Sequence, residues 1–105
     1  MVICLETAEA FMKAFANKCR LIILDLLADG PCTVTGILEA TGLEQSHVSH
    51  HLEQLLKTGL IEMTCEGQTH RYGLAEDKQH IVMSVITCAK EYTGAINAAR
   101  PLRKR

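Results

Sequence analysis

Gln45, Ser46, His47, Ser49 and His50 crowd into one short stretch of this chain. Amide, hydroxyl and imidazole groups are the side chains that pair with base edges and phosphate oxygens, and glutamine suits adenine. A solvated helix face has a similar composition, so the neighbouring residues decide between the two. Val48, Leu52, Leu55 and Leu56 recur at helical spacing through the same stretch. That spacing predicts a helix over 44–58, apolar on one side, with its polar first turns facing outward. His47 and His51 stand one turn apart, a spacing that can hold zinc, but the sequence offers them no evident acidic or thiol partner. His51 falls at the edge of the apolar stripe and reads as a half-buried structural histidine.

Thiols are the second reactive group. Cys4, Cys19, Cys32, Cys65 and Cys88 are odd in number and lack paired spacing, which does not resemble a secreted disulfide framework. In a reducing compartment they are expected as thiols, most of them buried. Cys65 and Cys88 lie on apolar faces, where cysteine serves as a small hydrophobe. Cys19 stands between Lys18 and Arg20, whose charges favour the thiolate. Cys4 precedes the first helix. Cys19, Cys88 and Cys4 are the candidate reactive thiols. No nucleophile–base pair, phosphate loop or complete metal site is visible, so an enzyme is not expected.

These groups need elements to position them. Leu5 to Ala16 reads as a helix with Ala8, Phe11, Met12 and Phe15 inward. Asn17 can cap a second helix, Lys18 to Ala28, apolar almost all round and therefore central. Thr33 can cap a short third helix, Val34 to Thr41, and Gly42 suits the left-handed end of it. Two short helices, a glycine turn and a helix with a polar start form a helix-turn-helix signature. Leu60–Cys65 and Thr69–Leu74 alternate around the Glu66-Gly67-Gln68 turn and predict a hairpin, a wing. Gln68, Thr69 and Arg71 lie at or near its tip. Ile61, Met63 and Cys65 should share one side, with Tyr72 and Leu74 inward. Glu76 to about Ala99 reads as a final helix whose stripe is Ile81, Val85, Cys88 and Tyr92, widened by Val82, Ile86, Ala89 and Ile96. So long an apolar face has little left to cover on a short chain. A second copy is the better explanation, so a homodimer through the first and last helices is expected. The fold class is mainly α with a two-stranded β wing. One domain is expected over 1–100, followed by a basic tail, 101–105.

The chain has 105 residues and a net charge of −1. Near-neutrality is unhelpful for a nucleic-acid binder, whose affinity draws on neutralised phosphates. Positive charge must then be local: Lys57, His70, Arg71, and Arg100, Arg103, Lys104 and Arg105. No run is long and apolar enough to span a bilayer, and a cytoplasmic location without membrane contact is expected.

Taken together, AFANKCRLIILDLL, ATGLEQSHVSHHLEQLLKTGLIEM and EGQTHRYGL resemble the ArsR/SmtB family of winged-helix repressors over roughly residues 5 to 98. The resemblance implies a dimeric repressor on a palindromic operator in double-stranded DNA. A metal ion, metalloid or thiol-reactive species would release it, and no cofactor is required. Its recognition helix would be 44–58, with Gln45, Ser46, His47, Ser49, His50, Gln68, Thr69 and Arg71 at the DNA. The chain departs from family sensing motifs. Thr33-Val34-Thr35 stands where arsenic and cadmium sensors carry Cys-Val-Cys, and hydroxyls do not replace thiolates for a soft ion. Lys78-x-His80 and Glu91-x-x-Gly94 stand at the zinc-sensor positions, leaving His80 and Glu91 as weak metal candidates. Persulfide sensors pair a cysteine of the second helix with one of the last; Cys88 suits the latter, but Asp25 occupies the former position. Glu44 replaces the family's serine at the recognition-helix start, and Gln68 a common wing arginine. The alternative is a winged-helix protein-interaction module without DNA binding, towards which Glu44, Glu53 and Gln68 lean.

If His47 and His50 lie near phosphate, their protonation should strengthen binding as pH falls from about 7.5 to about 6. Titrations of duplex DNA across that window test this. Affinity that stays flat in both the wild type and the His47→Gln, His50→Gln double variant rules it out.

Overall fold

The computed structural model describes residues 3–99, with side chains through 94. Helix α1 spans Leu5–Ala14 and α2 Lys18–Leu27. Between them, Asn17 takes extended backbone and its Oδ1 accepts from the Arg20 N–H at 3.1 Å, the expected cap. Helix α1 is two residues shorter than its sequence pattern suggests. The chain turns at Phe15, whose ring packs edge-on against Phe11 at 5.1 Å.

After α2, the two-residue strand β1 (Cys32–Thr33) leads into α3 (Val34–Thr41) and then α4 (Gln45–Thr58). Thr33 caps α3 by accepting from the Gly36 N–H at 3.0 Å. Strands β2 (Ile61–Glu66) and β3 (Thr69–Leu74) form the hairpin, joined through Gly67 at φ +64°. A single 3₁₀ turn, Glu76–Lys78, precedes α5 (Gln79–Ala99).

The wing has three strands where two were expected, in the order β1-β3-β2, all antiparallel. Cys32 pairs with Tyr72 and Thr33 with Arg71. A two-residue strand is too short to show alternation, and Thr33 already serves as a helix cap. Gly73 makes room for this third strand, because a Cβ there would stand 3.3 Å from Pro31 Cγ.

Helix α2 is central, as its nearly continuous apolar surface predicts. Ile23, Leu24 and Leu27 pack with Ile37 of α3, with Val48, Leu52 and Leu55 of α4, and with Val82 and Ile86 of α5. Each such side chain contributes about 1.5–3 kcal/mol through its burial. Ile61 and Leu74 close the base of the hairpin as a paired, buried couple. Beyond them the hairpin outgrows the body, so Met63 and Cys65 are exposed rather than inward.

One other expectation needs correction. Met12 is 65% exposed, and the inner side of α1 ends on Ala14 and Phe15. On α5 the residues buried within the single chain are Val82 and Ile86, with Val85 half-buried, while Ile81, Cys88, Ala89 and Tyr92 stay exposed, as residues left for a second copy would be. Because α5 is apolar on more than one side, spacing alone does not say which of these residues meet the chain's own core. The side chain of Ile96 and the tail 101–105 lie outside the described residues.

Arg20 joins three helices. Its Nη2 and Nε donate to the Lys13 and Ala14 carbonyls at 2.8 and 3.0 Å, satisfying the open end of α1. Its Nη1 lies 3.3 Å from Nδ1 of His51 on α4. With the guanidinium as the donor, that imidazole nitrogen must be unprotonated. Burial first, then Arg20, then His50 and His47, hold the His51 imidazole below its ordinary pKa.

The folded state thus favours neutral His51. As pH falls, the unfolded chain takes up this proton first, so stability is complete above about 6.5 and declines from there towards the lower folded pKa. Urea midpoints at pH 7.5 and 5.5 should show this decline and a shallower one in His51→Gln. An identical decline in that variant removes His51 as the cause. Arg20→Met should cost about 1.5–3 kcal/mol at pH 7.5, the range for hydrogen bonds that involve a charged group.

Candidate nucleic-acid interface

The turn between α3 and α4 is closed by short polar contacts. Thr41 Oγ1 donates to the Ile37 carbonyl at 2.7 Å and accepts from the Leu43 N–H at 3.2 Å. Gly42 takes φ +70°, a left-handed conformation that costs glycine little. Helix α4 then leaves with Val48 fully buried and its flanking polar residues outward. Gln45, Ser46, His47, Ser49 and His50 are all exposed. The helical period explains this: positions 48, 52 and 55 point to the core, so most of the first two turns points away. The His50 ring stands edge-on to His51 with centroids 5.2 Å apart.

The wing presents Gln68, Thr69 and Arg71, also exposed. Arg71 is not free, because its Nε donates to Glu66 Oε1 at 2.9 Å. Glu66 pairs with Thr69, and Arg71 with Thr64, so this bond runs diagonally across the hairpin. The hairpin register could have revealed it, since diagonal neighbours on one face lie within reach of long side chains.

Glu44 also behaves in a way that residue counting did not anticipate. It takes the N-cap position of α4 with extended backbone, but its side chain makes no cap bond. Instead Glu44 Oε1 accepts from Ser46 Oγ at 2.7 Å and lies 3.9 Å from His47 Nε2. His47 therefore has an acidic neighbour, which the sequence reading overlooked.

The five cysteines are free thiols, and fewer are buried than expected. Cys4, Cys65 and Cys88 are exposed, while Cys19 and Cys32 are half-buried. Cys65 and Cys88 are thus not packed as small hydrophobes in the single chain. Cys4 is the N-cap of α1, where its thiol accepts from Thr7 Oγ1 at 3.2 Å. That bond, with backbone bonds from Thr7 and Glu6, holds the thiol below its ordinary pKa, and slight desolvation opposes them. His80 and Glu91 are both exposed, about three turns apart on α5. Lys78 pairs with Asp77 at 2.9 Å. Among the described residues, no three His, Cys, Asp or Glu side chains come together as a metal-ligand group. No helix among them is long and apolar enough to cross a membrane.

The sequence profile described as bacterial regulatory protein, arsR family, matches residues 17–63, from the cap of α2 into β2. The HTH-type transcriptional regulator Rv0324 of Mycobacterium tuberculosis is 39% identical over 88 residues, which is 83% of this chain and 39% of that protein. NmtR, an HTH-type transcriptional regulator of the same species, is 43% identical over 63 residues, 60% of this chain and 52% of its own length. The chain thus spans about half or less of the length of these two relatives. Among solved structures, the homodimeric winged helix-turn-helix DNA-binding domain Mb0332 of Mycobacterium bovis superposes with a TM-score of 0.75. It is 34% identical, and the match covers 95% of this chain and 90% of that one. The capped α3–α4 pair, the wing and these similarities agree: this chain belongs to the ArsR family of winged helix-turn-helix regulatory proteins.

Proposed function

We propose that this chain is a homodimeric DNA-binding repressor that holds a palindromic operator and is released by a thiol-reactive species or by a metal or metalloid. The observation that carries the DNA-binding reading is the start of α4. Its buried Val48 fixes the rotation at which Gln45, Ser46, His47, Ser49 and His50 are all presented outward. In a winged helix this end enters the major groove, and the wing tip, here Gln68, Thr69 and Arg71, approaches the backbone.

Dimerisation draws support from the uncovered apolar residues. Leu5 and Met12 on α1, and Ile81, Met83 and Tyr92 on α5, are exposed large hydrophobics. They lie on the two helices that the sequence assigns to pairing, and the similar M. bovis domain is homodimeric. Two α4 helices would then meet half-sites about 34 Å apart, so a small rotation between protomers would weaken binding.

For release, the thiols have more support than the metal positions. Cys4 is exposed and its pKa is lowered, and thiolate character with access is what oxidants select. Cys88 is exposed on the other helix assigned to pairing. Cys19 is the less accessible candidate, and His80 and Glu91 would need further ligands.

The first test is a titration of duplex DNA from upstream of the gene, repeated over a range of salt. Affinity should fall as salt rises, with a shallow slope of log K against log salt because Arg71 is already paired with Glu66. Binding that is absent at every salt concentration would move the fold to the protein-contact reading. The same duplex with hydrogen peroxide, which converts an accessible thiolate to a sulfenic acid with release of hydroxide, tests release. We expect operator affinity to drop at least tenfold on oxidation and to be retained in Cys4→Ser. Loss of affinity that persists in Cys4→Ser but not in Cys88→Ser would move the sensing role to Cys88.

A further inference from the structure

We propose that Glu44 is a specificity-determining residue that makes the protein require cytosine at one base of each half-site. The inference rests on the DNA-binding reading above and deepens it.

A carboxylate at the leading end of a recognition helix is a liability, because it approaches a polyanion. As an ordinary N-cap, Glu44 would fold back onto the helix's own N–H groups, yet it makes no such bond. Its carboxylate is aimed at the exposed surface: Ser46 Oγ donates to Oε1 at 2.7 Å and His47 Nε2 stands 3.9 Å from the same oxygen. The side chain is 71% exposed. One oxygen is thus engaged by two residues of the candidate interface. Oε2 is left without a hydrogen bond among the described residues. The orientation is held from the protein side, and the free oxygen, hydrated in the unbound protein, must take a donor in place of water when the surface is covered.

The major groove supplies few donors. Guanine shows two acceptors there and thymine an acceptor and a methyl group. Adenine offers its N6 amino group but sets the N7 acceptor beside it, which repels a carboxylate. Cytosine offers its N4 amino group with no acceptor beside it on the same base. Only cytosine therefore satisfies Oε2 without a like-charged neighbour. At every other base, the desolvated carboxylate loses its water and gains nothing, which penalises the wrong sequence.

The test is selection of bound duplexes from a randomised library by the wild-type chain, Glu44→Gln and Glu44→Ala, followed by titration of single-base variants. Wild type should prefer cytosine at one position per half-site by about 5- to 150-fold over the other bases. Glu44→Gln should shift that position towards adenine, as a bidentate amide does. Glu44→Ala should bind all four bases there within a few-fold, and bind unrelated duplexes more tightly than wild type because a negative charge is gone. Thermal midpoints close to wild type will show that both variants fold, since the exposed side chain supports no core contact. Identical base preferences in the wild type and Glu44→Ala at every position overturn the inference while DNA binding stands. Failure of the wild type to enrich any duplex overturns the DNA-binding reading and this inference with it.

Discussion

Arg20 is the contact on which the geometry of this domain turns. Apolar packing among α2, α4 and α5 supplies most of the stabilisation, but it is non-directional and tolerates small rotations. A guanidinium has a planar set of donors, and Arg20 spends them on two carbonyls of α1 and one imidazole nitrogen of α4. The backbone N–H of the same residue is held by Asn17. The end of α1, the start of α2 and the second turn of α4 are thereby tied to one side chain. His51, which accepts that contact, is the immediate neighbour of His50 on the candidate interface. A rotation of α4 that buried Gln45 or His50 would break the Arg20 contact as well as lift Val48 from the core.

Charge is distributed so that the candidate interface has little surplus of it. Arg71 is matched by Glu66, and Glu44 stands against His47. With a net charge of −1 over the chain, long-range attraction to DNA is weak. Non-specific binding depends on that attraction, whereas base contacts depend on donors and acceptors placed within about 3 Å. A surface rich in amide, hydroxyl and imidazole groups but poor in free cations therefore favours discrimination over affinity. In the proposed complex, only a sequence that satisfies Gln45, Ser46 and their neighbours would compensate for the desolvation of those groups.

Features written in local chemistry were legible from the sequence. Asn17 and Thr33 cap the helices they precede, and Gly42 and Gly59 take the left-handed conformation at helix ends. Each is a single-residue property expressed within four positions. The buried set on α4 was legible because its polar and apolar residues segregate cleanly. On α5 they do not, and the inner face became Val82 and Ile86 only once α2 was in place to receive it. Strand alternation tells which wing residues share a side but not how far the body extends beneath them, so Ile61 is buried while Met63 and Cys65 on the same side are exposed. Two bonds near the site differ in how far the sequence shows them. Arg20 and His51 are 31 positions apart, and the Arg71–Glu66 bond depends on hairpin register.

The same connectivity bears on how a change at α1 would reach α4. Cys4 stands at the N-cap position of α1, bonded to Thr7 of its first turn, and Arg20 grips the carbonyls at the other end. A ten-residue helix is about 15 Å long and stiff, so a displacement at its first turn is not absorbed along its length. Helix α1 can shift only by breaking two charge-assisted hydrogen bonds or by carrying Arg20 with it, and Arg20 is bound to His51. In the proposed dimer, α1 also lies at the pairing surface with α5, where oxidation would add polar atoms beside Leu5 and Met12. Such a change disfavours the paired arrangement and strains the α1–Arg20–His51 connection together. By linkage, a modification that the DNA-bound arrangement resists must be one that DNA in turn protects against.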